Sequence, residues 1–261
     1  MLAQFFIIPG LAGFRNLPGL LLLGLALGSV PDAAAQASRF CGAGTAPAVR
    51  ASEQAPPSMD VRGLKAVYCT ESDGVRHTLR WAHASAYPVF YGGLPAAWAG
   101  ALFVRGTGDV SDAYRLTVTQ LATYGAVVGL KRTIRRPRPY MTLPLSSRAA
   151  RYGAEIEDGQ RASMPSGHAG LSVALATSWS LSHPQWYVVA PSALWASAVT
   201  VSRLYLGVHY PSDVLAGALL GAGIATLVHV LGNRITPDAL TSDSPEQALS
   251  HGPGINLSLR F

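Results

Sequence analysis

Long apolar runs, divided by short polar or proline-bearing breaks, dominate the chain from about residue 84 onward. Five such runs are legible: Ala84 to Val104, Tyr114 to Leu130, Ala169 to Leu181, Trp186 to Val201 and Val214 to Leu231. Each predicts an apolar helix. Small residues recur in them, as at Ala99-Gly100-Ala101, at Ala174 and Ala176, and at Ala216-Gly217-Ala218 with Gly221 and Gly223. Such residues let helices approach closely, as in membrane bundles. Only the first and last runs approach the ~20 residues that cross hydrocarbon, and Ala169 to Leu181 falls short. The expected fold is all-α, a bundle of five to six apolar helices. A transmembrane bundle is favoured, and a soluble bundle outside the cytoplasm is the alternative.

The two ends of the chain read differently. Leu17 to Val30 is uncharged, follows Arg15, and precedes Ala33-Ala34-Ala35 and Ala35-Gln36-Ala37, both small-x-small cleavage patterns. The run is shorter than a spanning helix, which favours a cleaved signal peptide over a retained first transmembrane helix. In either case the chain after residue 37 starts outside the cytoplasm. From Ser38 to about Ala82, Pro47, Pro56, Pro57 and Gly63 break any long periodicity, so an irregular arm is expected, with a short helix or strand, packed as a lid or collar. Cys41 and Cys69 both fall in this arm. In an oxidising compartment they are a candidate disulfide, against the alternative of two unrelated thiols. The tail ends in the alternating stretch Ile255 to Phe261, which reads as one strand or a loose end. The organisation expected is 1–37 signal peptide or first transmembrane helix, 38–83 exported arm, 84–233 helical domain and 234–261 polar tail.

Composition sharpens this picture. The 261 residues fit one domain. They are 49% hydrophobic and only 13% charged, against roughly a quarter charged in a typical soluble domain, which leans towards a membrane. The net charge of +6 points to an anionic partner. The basic residues gather in one run, Lys131 to Arg138, instead of spreading over a face, so a nucleic-acid partner is not expected. Counting crossings from an outside start places Lys131 to His168 and Ser202 to Asp213 on the same, outer side.

Those two stretches carry three clusters with chemical meaning. Lys131-Arg132-Thr133-Ile134-Arg135-Arg136-Pro137-Arg138-Pro139 closes an apolar run, where the prolines stop the helix. Alone it is an ordinary juxtamembrane basic run. Met164-Pro165-Ser166-Gly167-His168 opens the next run. Its free backbone N–H groups, the positive end of the helix dipole and the Ser166 hydroxyl suit a phosphate. Ser202-Arg203, His209 and Asp213 stand between the last two runs, and Pro211 fits the first turn of the final helix. That places Asp213 in the first turn and His209 just before it, within reach of a carboxylate–imidazole hydrogen bond. Such a carboxylate holds the imidazole's tautomer and stabilises positive charge on the ring, which makes His209 a candidate nucleophile.

Taken in order, Lys-x6-Arg-Pro (Lys131, Arg138, Pro139), Pro-Ser-Gly-His (Pro165 to His168) and Ser-Arg-x5-His-x3-Asp (Ser202, Arg203, His209, Asp213) resemble the type 2 phosphatidic acid phosphatase family. That superfamily includes bacterial class A acid phosphatases, glucose-6-phosphatase and vanadium haloperoxidases. The resemblance covers Lys131 to Asp213. It implies a phosphate pocket built by Lys131, Arg138 and Arg203, with Ser166 and the Gly167 backbone. It further implies His209 as the nucleophile that forms a phosphohistidine, Asp213 orienting it, and His168 protonating the leaving group and then activating water. Ser202 belongs to the motif without an assigned task. Fixed cations and aimed N–H groups can stabilise a phosphoryl transition state in place of a metal, so neither metal nor cofactor is expected. His77, His83, His183 and His229 show no ligand spacing and read as structural or solvated, while Arg132, Arg135 and Arg136 are extra to the motif and suited to attracting anionic headgroups.

The function these features imply is hydrolysis of a phosphate monoester or pyrophosphate of a phospholipid or isoprenoid lipid. Phosphatidate, phosphatidylglycerol phosphate, undecaprenyl pyrophosphate and lipid A phosphates are the substrate types in view, and the site is expected to face the periplasm from the inner membrane. The alternative is a soluble periplasmic acid phosphatase of broad specificity. Vanadate-dependent halide oxidation uses the same pocket chemistry but does not explain the apolar bundle. A non-catalytic lipid-binding or transport protein does not explain the complete set His168, His209 and Asp213.

Overall fold

A computed structural model describes residues 40–42, 58–104, 110–148 and 162–241. The regular structure in them is helical, as expected. It comprises α1 (Met59–Tyr68), α2 (Asp73–Ala99) continuing into a π-helical turn at Gly100–Val104, α3 (Ser111–Ile134), the single turn α4 (Pro139–Thr142), α5 (Gly167–Ser182), α6 (Trp186–Tyr205), α7 (Pro211–Val230) and the single turn α8 (Gly232–Ile235). The five apolar runs coincide with the long helices α2 (with its π-helical turn), α3, α5, α6 and α7, the last run ending one residue past α7 at Leu231. The expected signal segment and the alternating stretch at 255–261 lie outside the described residues.

The helices exceed the apolar runs where polar turns extend them. Helix α2 begins at Asp73, not Ala84, with an acid in its first turn, where the helix dipole favours negative charge. The added turns bury only Leu79 and Ala82 as apolar residues, too few to register as an apolar run. Similarly, α6 runs on to Tyr205, so Ser202 and Arg203 occupy its last turn and not the connection beyond it. Within the arm, Ser58 caps α1 by accepting from the Val61 backbone N–H at 3.4 Å.

Helix α5 is the hub, packed against α7, α6 and α3 and more lightly against α2. Its pairing with α7 is the closest in the fold, and glycine makes it so. A Cβ built on Gly217 would stand 2.3 Å from the Ser166 carbonyl oxygen, and one on Gly221 would stand 2.1 Å from that of Gly170. Real side chains do not approach so closely, so the two backbones touch where only hydrogen can fit.

The arm is tied to the bundle at the end that carries the polar clusters. Cys41 and Cys69 are disulfide-bonded, with Cα atoms 5.5 Å apart. Phe40, Leu64 and Tyr68 pack with Leu145, Ala169, Leu204, Tyr210 and Val214 in one buried cluster. Arg148 pins the same corner, donating to the carbonyls of Tyr68 (3.0 Å) and Tyr205 (3.3 Å). Gly207 has φ +70°, and a Cβ there would strike Leu145 and Tyr68. Glycine is therefore required in the turn that delivers His209.

Candidate active site

The three sequence clusters meet at this end of the bundle. Lys131, in the last turn of α3, donates from Nζ to the Ala162 carbonyl at 2.7 Å. Arg135 then takes a left-handed conformation, φ 51°, and ends the helix. Beyond it, the Arg136 carbonyl accepts from the Ser163 backbone N–H at 2.7 Å, and Pro137 forms a β-bridge with Ala162. The first cluster is thus bound to the approach of the second. Ser166 caps α5, its Oγ accepting from the Ala169 N–H at 3.5 Å, while its own N–H donates to the Asp213 carbonyl at 2.9 Å. The second cluster is thereby bound to the third.

The side chains converge accordingly. Arg138, Arg203 and His209 are buried, and Asp213 is fully so. His168 opens α5 beside them, and Arg203, His209, His83 and Arg138 all act on it electrostatically. Its Nε2 is buried with no hydrogen-bond partner among the described residues. Aromatic rings wall it in, with the Tyr87 centroid at 5.1 Å and that of Phe90 at 5.8 Å.

His209 Nδ1 lies 3.7 Å from Asp213 Oδ2. This separation is longer than the hydrogen bond the spacing predicts. The reason is local. Oδ2 already accepts from the Tyr210 backbone N–H at 2.8 Å, closing the first turn of α7, and Oδ1 accepts from Arg136 at 2.8 Å. Burial pushes the His209 pKa down to about 3; Asp213 opposes the shift, while Arg138 and Lys131 add to it. The imidazole is therefore neutral near pH 7, as a nucleophile must be.

The profile of the PAP2 superfamily matches residues 113–237, from α3 to the segment after α8. Residues 113–237 belong to the PAP2 superfamily. Two relatives match shorter stretches of the chain. A lipid A 4'-phosphatase of Bacteroides thetaiotaomicron is 42% identical over 52 residues, 20% of this chain and 23% of that protein. An undecaprenyl-diphosphatase of Sulfolobus acidocaldarius is 43% identical over 65 residues, 25% of this chain and 31% of that protein. The chain thus spans under a third of the length of either. The fold is similar to the crystal structure of a transmembrane PAP2 type phosphatidylglycerolphosphate phosphatase from Bacillus subtilis. The TM-score is 0.51 at 23% identity, covering 68% of this chain and 86% of that one.

Some residues at this PAP2 site escaped the sequence reading. His83, read as structural or solvated, is buried in α2 with Nδ1 against an Arg203 guanidinium nitrogen. Arginine stays protonated, so Nδ1 accepts and His83 is held as its Nε2–H tautomer. Ser202, without a task in the sequence, accepts from Arg203 at 3.0 and 3.2 Å and donates to the Val199 carbonyl at 2.6 Å, which orients the guanidinium. The largest revision concerns Arg136. It does not reach out to headgroups; its NH1 and NH2 point inward to Asp213 and Asp60. No spacing rule links Asp60, far upstream in the arm, with the basic run.

Proposed function

We propose that the protein hydrolyses a phosphate monoester or diphosphate borne by a lipid, through a phosphohistidine on His209. The observation that carries this reading is the convergence of His168, His209 and Asp213 with Lys131, Arg138 and Arg203. Three cations neutralise the charge spread over the equatorial phosphoryl oxygens. Because Nδ1 of His209 faces Asp213, Nε2 is the attacking nitrogen. Its lone pair forms the P–N bond as the bond to the leaving oxygen breaks, and His168, which takes up a proton when the bound phosphate's negative charge offsets the cations around it, gives that oxygen the proton through Nε2. In the second step water attacks phosphorus, His168 accepts the water proton, and the P–N bond breaks to release inorganic phosphate. Asp213 stabilises the positive charge that the His209 ring carries between the steps.

The outer surface supports a lipid substrate. Phe103, Leu121, Leu194, Leu219 and Leu227 are all more than half exposed, large apolar side chains that suit hydrocarbon better than water. Helix α7 has the length and mean hydropathy, 1.7, of a membrane span. The relatives act, by name, on a lipid A phosphate and an undecaprenyl diphosphate. One feature favours the alternative of a soluble periplasmic acid phosphatase: α5, at 16 residues, is about 24 Å long, short of the ~30 Å of hydrocarbon. We place the site on the periplasmic side of the membrane.

A phosphate-release panel on the detergent-purified protein tests the reading, comparing dioctanoyl phosphatidate, phosphatidylglycerol phosphate, undecaprenyl diphosphate and p-nitrophenyl phosphate. At least one lipid substrate should be turned over faster than p-nitrophenyl phosphate, with inhibition by vanadate and loss of activity of roughly 1,000-fold or more in His209→Ala, on the scale of losing a catalytic nucleophile. Full activity in His209→Ala would remove the nucleophile from the scheme. Extraction from membranes by salt alone would favour the soluble alternative.

A further inference from the structure

Asp213 can serve His209 only if its carboxylate plane and charge are held, and the residues that hold it lie outside the three motifs. Arg136 NH1 donates to Asp213 Oδ1 at 2.8 Å and to Ser212 Oγ at 2.6 Å, while NH2 donates to Asp60 Oδ2 at 2.7 Å. The guanidinium lies over the Tyr210 ring, 4.1 Å from its centroid. Asp60, in the first turn of α1, accepts from the Ser212 backbone N–H at 2.9 Å and from Ser212 Oγ at 2.6 Å. Gly63 permits this approach, since a Cβ there would come within 2.9 Å of Pro211.

On this evidence we propose that Arg136 and Asp60 are positioning residues of the hydrolytic site: the arm helix α1 enters the active centre and, through Arg136, sets the orientation of Asp213 towards His209. The inference rests on the assignment of His209 and Asp213 above. Its physical basis is the division of labour between the two carboxylate oxygens. Oδ1 is taken by Arg136, so Oδ2 is the oxygen turned to His209. Arg136 also supplies the countercharge that a carboxylate with no solvent exposure requires. Both ends of the planar fork are used at once, which an ammonium on a flexible stem does not reproduce. Asp60 holds the far end of the fork and lets Arg136 bridge without reaching the phosphate. The site is therefore complete only with the exported arm, although that arm lies outside the matched PAP2 residues.

Steady-state kinetics on the panel substrate that the wild-type protein hydrolyses best, with inorganic phosphate as competing inhibitor, test the proposal. Arg136→Lys and Asp60→Asn should each lower kcat roughly tenfold or more, the scale on which outer partners of catalytic groups act. KM and the inhibition constant of phosphate should stay within about threefold, because neither residue binds phosphate. Guanidinium ion added to Arg136→Ala should restore part of the lost kcat, a response that a merely structural role would not produce. The double variant Arg136→Lys with Asp60→Asn should lose less than the product of the single losses. Arg62→Ala, exposed on the same helix, should match the wild type. Unfolding of Arg136→Ala leaves the two conservative variants to decide, and wild-type kcat in both overturns the proposal. A raised phosphate inhibition constant in Arg136→Lys also overturns it, by making Arg136 a phosphate ligand. Wild-type activity in His209→Ala would instead overturn the hydrolytic reading itself.

Discussion

At the scale of single residues, the site depends on a histidine kept neutral by burial. The pKa of His209 is pushed down to about 3 in the folded protein, against about 6.5 for a free imidazole. The proposed nucleophile therefore stays unprotonated well below neutrality. Histidine 15N NMR on the detergent-solubilised protein should show the His209 ring neutral at pH 5, and a midpoint near 6.5 would contradict the buried environment. The same shift has a consequence for stability. The unfolded chain takes up a proton at His209 below about pH 6.5 and the folded one does not until about pH 3, so unfolding binds a proton in that window. Stability contributed by neutral His209 is fully present above about pH 6.5 and is lost as pH falls towards about 3. His209 and Asp213 were legible as a pair from four-residue spacing on a helix start, but the two groups stand 3.7 Å apart instead of in the hydrogen bond that the spacing predicts. Spacing places Cβ atoms; it does not say that Tyr210 and Arg136 already occupy the carboxylate.

At the scale of elements, the proposed mechanism depends on how closely α5 and α7 lie, because one carries His168 and the other follows directly on His209. Gly217 and Gly221 sit where a Cβ would overlap backbone oxygens at 2.3 and 2.1 Å. Gly221→Ala must part the helices and should destabilise the protein by about 1–3 kcal/mol, the usual cost of overpacking, with a matching fall in activity. Gly125→Ala, where a Cβ would meet nothing within 4 Å, serves as the comparison in α3. It should be neutral or stabilising by up to ~1 kcal/mol through helix propensity. Thermal unfolding followed by circular dichroism separates the two. The glycines were visible in the sequence as packing residues, but their partners were not, since the pairing of α5 with α7 is a long-range choice made by surface fit.

At the scale of the whole molecule, the arm helix α1 is packed against and hydrogen-bonded to the end of the bundle that carries the candidate site. The disulfide joins Cys41, before the arm helix, to Cys69 at its end, across 28 residues, and the loop-entropy account assigns such a link about 3–4 kcal/mol. Cys41→Ser with Cys69→Ser should lower the unfolding temperature and, by loosening the hold of α1 on Ser212 and Arg136, reduce turnover. Unchanged stability and turnover would show that the hydrophobic cluster around Tyr68 seats the arm unaided. The sequence alone determined the all-helical bundle and the three motifs that the fold brings together, because apolar periodicity and short motifs are local: their information lies within a few turns of chain. The tertiary structure alone decided which polar groups share partners. Arg136 was read as a surface cation because its neighbours in sequence are cations, yet it is held by Asp60 and Asp213, 76 and 77 positions away. His83 likewise meets Arg203 across 120 positions. Such contacts arise when helices fix a rigid frame and buried charges must find countercharges within it, and no local pattern encodes that pairing.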